Sequence, residues 1–213
     1  MLFVFGDSWA AGAELEDGEK PFAFYLASLL EQPRANLARH GMSLGHIMSV
    51  VLENVGKINE TDYVVVIVPP DVRWYEIDDD FKFKSLSIHT SDYIKNYNHA
   101  WFIYHHSLFI YTIYSAITSR TKNLILAHNY GKLVIPDTFS NLIDRNYFLS
   151  DYSLTHLLID DEIGDAWDNY NFQQDGPWND MFRGKYFEGK KQHPNHLGHK
   201  QIAKMLYKKF KTL

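Results

Sequence analysis

Cysteine is absent from the 213-residue sequence, which excludes disulfide frameworks, thiolate nucleophiles and cysteine-ligated zinc. Basic charge is not in excess either. The 21 Lys and Arg stand against 26 Asp and Glu, a net charge of -5, and this speaks against a general affinity for nucleic-acid phosphates. The lysines that do gather (Lys200, Lys204, Lys208, Lys209, Lys211) have the spacing of a solvated helix face. The start of the chain lacks a secretory pattern: Met1 to Phe5 is a short apolar stretch before a polar turn, without a basic n-region or a longer h-region. The expectation is a protein that is not exported, which the cysteine-free composition suits. Long apolar runs are missing with one exception, Ala100 to Ile117, and that run carries His105-His106-Ser107 at its centre, where ionisable groups are expensive in lipid. Ile94, Tyr97, Trp101, Tyr104, Leu108 and Tyr111 step by three and four, which predicts a long core helix with an aromatic partner surface rather than a membrane span.

What is present has the balance of an ordinary globular chain, 46% hydrophobic and 22% charged, and its length suits one domain over residues 1–213. Leu2 to Phe5 reads as a buried first strand, and Pro21 to Leu30 as a helix with proline at its first turn. Arg34 to Ala38 offers a short second strand. Ser43 caps a helix running through Ile47, Val50, Val51 and Leu52 towards Val55. Asp62 to Val68 is an unalternating β-branched run, as in a strand covered on both faces, and Pro69-Pro70 stops it. Asn123 to Ala127 gives a further inner strand, Ser153 to Ile159 a short helix, and the last helix runs from about His196 or Leu197 to Phe210. Strands alternating with helices predict an α/β fold with a parallel sheet wrapped on both sides. Such sheets bind ligands at the carboxyl ends of their strands.

Two segments carry chemistry. Gly6-Asp7-Ser8-Trp9-Ala10-Ala11-Gly12 follows the first strand directly, so Ser8 stands at the sheet's binding edge. Near the other end lies His193-Pro194-Asn195-His196-Leu197-Gly198-His199. Proline after His193 biases that histidine to an extended conformation, in a loop ahead of the helix, where it can serve as base for a serine.

Together and in this order, the two segments resemble the SGNH (GDSL-type) hydrolase superfamily, over nearly the whole chain from Gly6 to about Leu206. A third match, Asn36-Leu37-Ala38-Arg39-His40-Gly41-Met42-Ser43, looks like the family's second block. The resemblance implies a three-layer α/β/α sandwich with a flavodoxin-like central parallel sheet. It also implies that Ser8 attacks an ester carbonyl, that His193 takes the serine proton, and that the N–H groups of Ser8 and Gly41 hold the oxyanion. No metal and no organic cofactor is implied. Members that deacylate carbohydrates make an O-acyl sugar ester the first substrate class to expect. The small leaderless form also resembles SGNH proteins encoded by bacteriophages, which implies a cytoplasmic or virion location.

The sequence departs from the family in two places. Where the family has Gly-x-Asn-Asp after the third inner strand, this chain has Val68-Pro69-Pro70-Asp71, and Pro70 has no N–H and no side-chain donor. Asp7, Arg73 and Asn129, each just past an inner strand, are candidate substrate or oxyanion contacts. Three residues before His193, where the family places an aspartate, stands Lys190; Glu188 and Asp180 are upstream acids without the right spacing. A rival expectation follows: a weak or inactive SGNH fold retained as a glycan-binding or structural module, with the aromatic helix as its oligomer or virion contact. The three-residue steps of His193, His196 and His199 could suggest a metal, but no carboxylate cluster accompanies them, and His199 reads as a structural partner at the helix start. Asp78-Asp79-Asp80 reads as a solvated loop. Trp9, Trp74 and Tyr75 read as loop aromatics, for stacking on a sugar or acyl group or for packing.

Overall fold

The computed structural model describes residues 1–69, 99–129, 135–163, 185–187 and 193–213, and the backbone of 73–77 and 83–87. Its central sheet holds β1 (Leu2–Phe5), β2 (Arg34–Asn36), β3 (Tyr63–Val68) and β6 (Leu124–His128). All pairings are parallel, in the order β2-β1-β3-β6. Val4 lies beside Asn36 on one side and Val65 on the other, and Val65 beside Ile125.

The β-branched runs carry no polar alternation because both faces of the sheet are covered. Leu2, Val4, Val65, Ile67, Ile125 and Ala127 pack against α2 (Phe22–Leu30), α7 (His196–Phe210) and the start of α6 (Leu154–Ile163). Their neighbours Phe3, Phe5, Val64, Val66, Val68, Leu124 and Leu126 pack against α3 (Leu44–Asn54), α4 (His99–Thr118) and Phe139 of the short α5 (Asp137–Ser140). The architecture is therefore the three-layer α/β/α sandwich expected from the alternation of elements. From β1 the chain crosses to β2 on one side and later returns to β3 on the other. The carboxyl end of β1 is thus a topological switch point, where a crevice opens in such sheets.

Element boundaries follow the sequence closely in the core. β3 ends at Val68, immediately before Pro69, and α3 begins after Ser43, whose Oγ accepts from the His46 N–H. α4 buries Ile110, Ile113 and Ile117 while Trp101 and Tyr104 remain 45% and 47% exposed. Among the described residues, no helix is long and apolar enough to cross a membrane. Two placements are corrected. Trp9 lies not in a loop but in a short helix, Ser8–Ala11. Trp74 and Tyr75 do not lie in a loop but in β4 (Arg73–Ile77), which pairs antiparallel with β5 (Phe83–Ser87). The aromatic and β-branched residues of Arg73 to Ile77 favour a strand, a signal masked by the double proline just before it. Ile94, Tyr97 and Asp78 to Asp80 lie outside the described residues.

Candidate active site

Ser8 owes its position to its two predecessors. A Cβ on Gly6 would stand 2.8 Å from Ala10 Cβ and 2.9 Å from Ile67 Cβ, so only glycine lets the short helix α1 (Ser8–Ala11) fold back against β3. Asp7 then caps α1, its Oδ1 accepting from the Trp9 N–H at 3.1 Å. Asn129 Nδ2 donates to Asp7 Oδ2 at 2.9 Å, with both residues fully buried. The Asn129 backbone N–H reaches Val68 O at 3.2 Å, and its carbonyl accepts from Thr155 N and Oγ1. Asp7 and Asn129 thus brace the ends of β1, β3 and β6 beneath the serine. Ser8 itself keeps 5% of its surface. Trp9 is 1% exposed and edge-on to Phe187 at 6.1 Å; of its two open readings, packing is the one this placement fits.

His193 is held from the other end of the chain. Pro194 bridges Phe187, the Asn195 N–H donates to Tyr186 O at 2.9 Å, and Asn195 Nδ2 donates to Lys185 O at 3.0 Å. Asn195 also caps α7, its Oδ1 accepting from the N–H groups of Leu197 and Gly198, each at 3.0 Å. A Cβ on Gly198 would fall 2.7 Å from Tyr186 O, so the close seat of this loop depends on glycine. The loop brings His193 Nε2 to 2.8 Å from Ser8 Oγ across 185 positions of sequence.

On its other side, His193 Nδ1 lies 2.9 Å from Glu14 Oε2. Sequence reasoning missed Glu14. It sits in the turn that closes α1, far along the chain from the histidine, and only the placement of an acid shortly after the serine could have drawn attention to it. Its backbone is left-handed, with φ 65.

The other two histidines of the motif meet the same segment. His196 Nδ1 lies 2.8 Å from Glu19 Oε1, ion-pair distance without the alignment of a hydrogen bond. His199 Nδ1 accepts from the Phe22 N–H at 3.2 Å, and burial first, then the charge of His193, pushes its pKa down to about 3. Each ring therefore faces a different partner. Among the described residues, no group of three or more His, Cys, Asp or Glu is arranged to hold a metal ion.

Gly41 follows β2 in a loop tied to the same corner: Leu37 N–H donates to Val4 O at 2.8 Å and Arg39 N–H to Gly6 O at 3.2 Å. Asn36 Nδ2 adds a bond to Ala10 O at 2.9 Å. Gly41 itself is exposed. Beyond β3, the Pro69 carbonyl lies 3.2 Å from His106 Nε2 of α4. Arg73 opens β4 and its side chain lies outside the described set. Pro70, Asp71, Asp180, Glu188 and Lys190 are outside it as well.

The sequence matches no protein-family profile and no curated protein. Solved structures identify the fold as that of the SGNH, or G-D-S-L, hydrolases. A member of the lipolytic G-D-S-L family from Veillonella parvula aligns with 100% of this chain and 98% of its own, at 14% identity and TM-score 0.53. TesA aligns over 99% and 98% at 10% identity and TM-score 0.52. A G-D-S-L family protein of Desulfitobacterium hafniense aligns over 98% of both chains at 12% identity and TM-score 0.52. At such identities the likeness is one of fold.

Proposed function

We propose that this chain, as one domain over residues 1–213, is a serine esterase that hydrolyses a small acyl ester through an acyl-Ser8 intermediate. The observation that carries the reading is the 2.8 Å contact between Ser8 Oγ and His193 Nε2 at the switch point of the sheet, the nucleophile–base geometry of covalent acyl transfer. His193 Nε2 takes the hydroxyl proton as Ser8 Oγ bonds to the ester carbon. The same nitrogen returns that proton to the alcohol oxygen as the C–O bond breaks. Water, deprotonated by His193, then attacks the acyl carbon; the bond to Ser8 Oγ breaks, the proton passes from His193 Nε2 to that oxygen, and the carboxylic acid leaves. The N–H groups of Ser8 and Gly41 are the oxyanion donors in this reading. Asn129 Nδ2 gives one of its two hydrogens to Asp7, and its second N–H keeps Asn129 a candidate donor beside them. An O-acyl carbohydrate, such as an acetylated sugar, is the substrate class to try first, and the cytoplasm or a virion is the setting.

The family asparagine after the third strand is missing here, and losing one oxyanion donor typically costs about 10²–10³ in turnover. That favours a second reading, in which the fold binds a glycan or a protein partner and turns over slowly or not at all. Exposed Trp101 and Tyr104 of α4 would be its contact surface. Hydrolysis of p-nitrophenyl acetate and butyrate beside Ser8→Ala separates the two. The esterase reading expects release of nitrophenol that falls to the buffer rate in the variant, and a loss of ~10²–10⁴ in His193→Ala. Wild type and Ser8→Ala both at the buffer rate would leave the binding module.

A further inference from the structure

We propose that Glu14 is the positioning acid of His193, replacing from the nucleophile's own turn the aspartate that Lys190 displaces in the histidine loop. This assignment rests on the Ser8–His193 esterase reading and adds to it the group that sets the base's orientation and tautomer.

An ionised carboxylate only accepts hydrogen bonds, and a neutral imidazole has one N–H to give. Glu14 Oε2 at 2.9 Å from Nδ1 therefore holds the ring proton on Nδ1. Nε2 is left with its lone pair directed at the Ser8 hydroxyl, 2.8 Å away, the protonation state a general base needs. The proton passes only between Ser8, His193, the leaving alcohol and water, and the carboxylate stabilises the imidazolium that forms in between.

The local backbone supports the same conclusion. The N–H groups of Gly12 and Ala13 both donate to the Ser8 carbonyl, so serine and acid sit at the two ends of one hydrogen-bonded turn with His193 between them. Glu14 holds a left-handed φ of 65, a conformation that β-carbon crowding disfavours for any residue but glycine. Strain of that kind persists where the surroundings impose it, and it gathers at functional sites.

The register of the two segments points the same way. His193, His196 and His199 meet Glu14, Glu19 and the Phe22 N–H in turn. Residues 14–22 thus form a template along which the histidine loop is laid, with Glu14 at the catalytic end. Because Glu14 is 39% exposed on its side chain, water screens its charge. Its removal is expected to cost less than the ~10⁴ measured for neutralising a buried triad aspartate, about 10–10² in kcat, with KM unchanged.

The test compares Glu14→Gln, Glu14→Asp, Glu14→Gly and Glu188→Gln with wild type and Ser8→Ala. The readouts are p-nitrophenyl butyrate kinetics, thermal melting and the far-downfield proton resonance of an imidazole N–H bound to a carboxylate. The expected result is that kcat falls in Glu14→Gln and Glu14→Gly, recovers in part in Glu14→Asp, and is unchanged in Glu188→Gln. Melting of Glu14→Gly should stay at or above that of wild type, since glycine relieves the left-handed residue, and formate added to Glu14→Gly should restore part of kcat. The downfield resonance should be lost in Glu14→Gln and Glu14→Gly. Wild-type kcat in those variants, or loss of kcat only in Glu188→Gln, overturns the assignment. If wild type itself is no faster than Ser8→Ala, the esterase reading fails, and the resonance alone then decides: its persistence in Glu14→Gly removes Glu14 as the partner of His193.

Discussion

A helix leaves its first N–H groups without intrahelical partners, and Pro21 offers α2 no side-chain cap, so His199 Nδ1 takes the N–H of Phe22. That bond needs a neutral ring. Burial pushes the folded-state pKa down to about 3 from the ordinary 6.5, so between those values the unfolded chain binds a proton that the folded chain refuses. The stability this residue contributes is complete above pH 6.5 and is lost as pH falls towards 3, with a slope of at most ~1.4 kcal/mol per pH unit. Urea unfolding at pH 7.5 and at pH 5 should show wild type losing more stability than His199→Gln over that interval; equal losses would contradict the assignment. At this scale the sequence was legible where a residue's neighbours define its conformation, as with Ser8 after the first strand and His193 before a proline. It was not legible for Glu14, whose role depends on a contact closed by the tertiary fold. Nor did it reveal that Asn129 and Asp7, candidates for substrate contact by position, bond to each other in the core.

The segment that presents His193 is held by a cap and a close approach. Asn195 satisfies two N–H groups of α7 and the carbonyl of Lys185 with one side chain. Asn195→Ala is expected to lower stability by about 1–2 kcal/mol, as lost caps do, and to lower kcat as well because His193 loses its support. Both are readable from melting and p-nitrophenyl butyrate kinetics on one preparation. Gly198→Ala places a methyl 2.7 Å from Tyr186 O and should cost about 1–3 kcal/mol through overpacking; a neutral effect would mean that the loop is looser than described. Elements with a strong local signal were readable in advance: β3 from its valine run and its proline stop, α3 from Ser43, α7 from the His-Pro-Asn entry. The antiparallel pair β4 and β5 was not, because strands outside the main sheet do not share the strand–helix alternation that marked the others.

At the scale of the whole molecule, one sheet carries two independent apolar layers. Leu26 of α2 belongs to one and Ile113 of α4 to the other, and both are fully or nearly fully buried. Truncation of either to alanine should cost ~2–5 kcal/mol. The double variant should sum the two in denaturant unfolding, because residues without shared partners combine nearly additively; a large departure would show that the faces are coupled through the sheet. The same topology fixes the site. β1 at the switch point presents Ser8, the cross-chain loop presents His193, and the turn between α1 and α2 presents Glu14. The fold was legible from the order of elements, while the completeness of the site depended on a pairing between distant ends. The central claim, that Ser8 is a nucleophile activated by His193, is tested most directly by treating the protein with a fluorophosphonate and mapping the adduct by peptide mass. One label on the peptide containing Ser8, absent in Ser8→Ala and greatly slowed in His193→Ala, is the expected result. No adduct on wild type, or labelling of Ser8 at the same rate without His193, would contradict it.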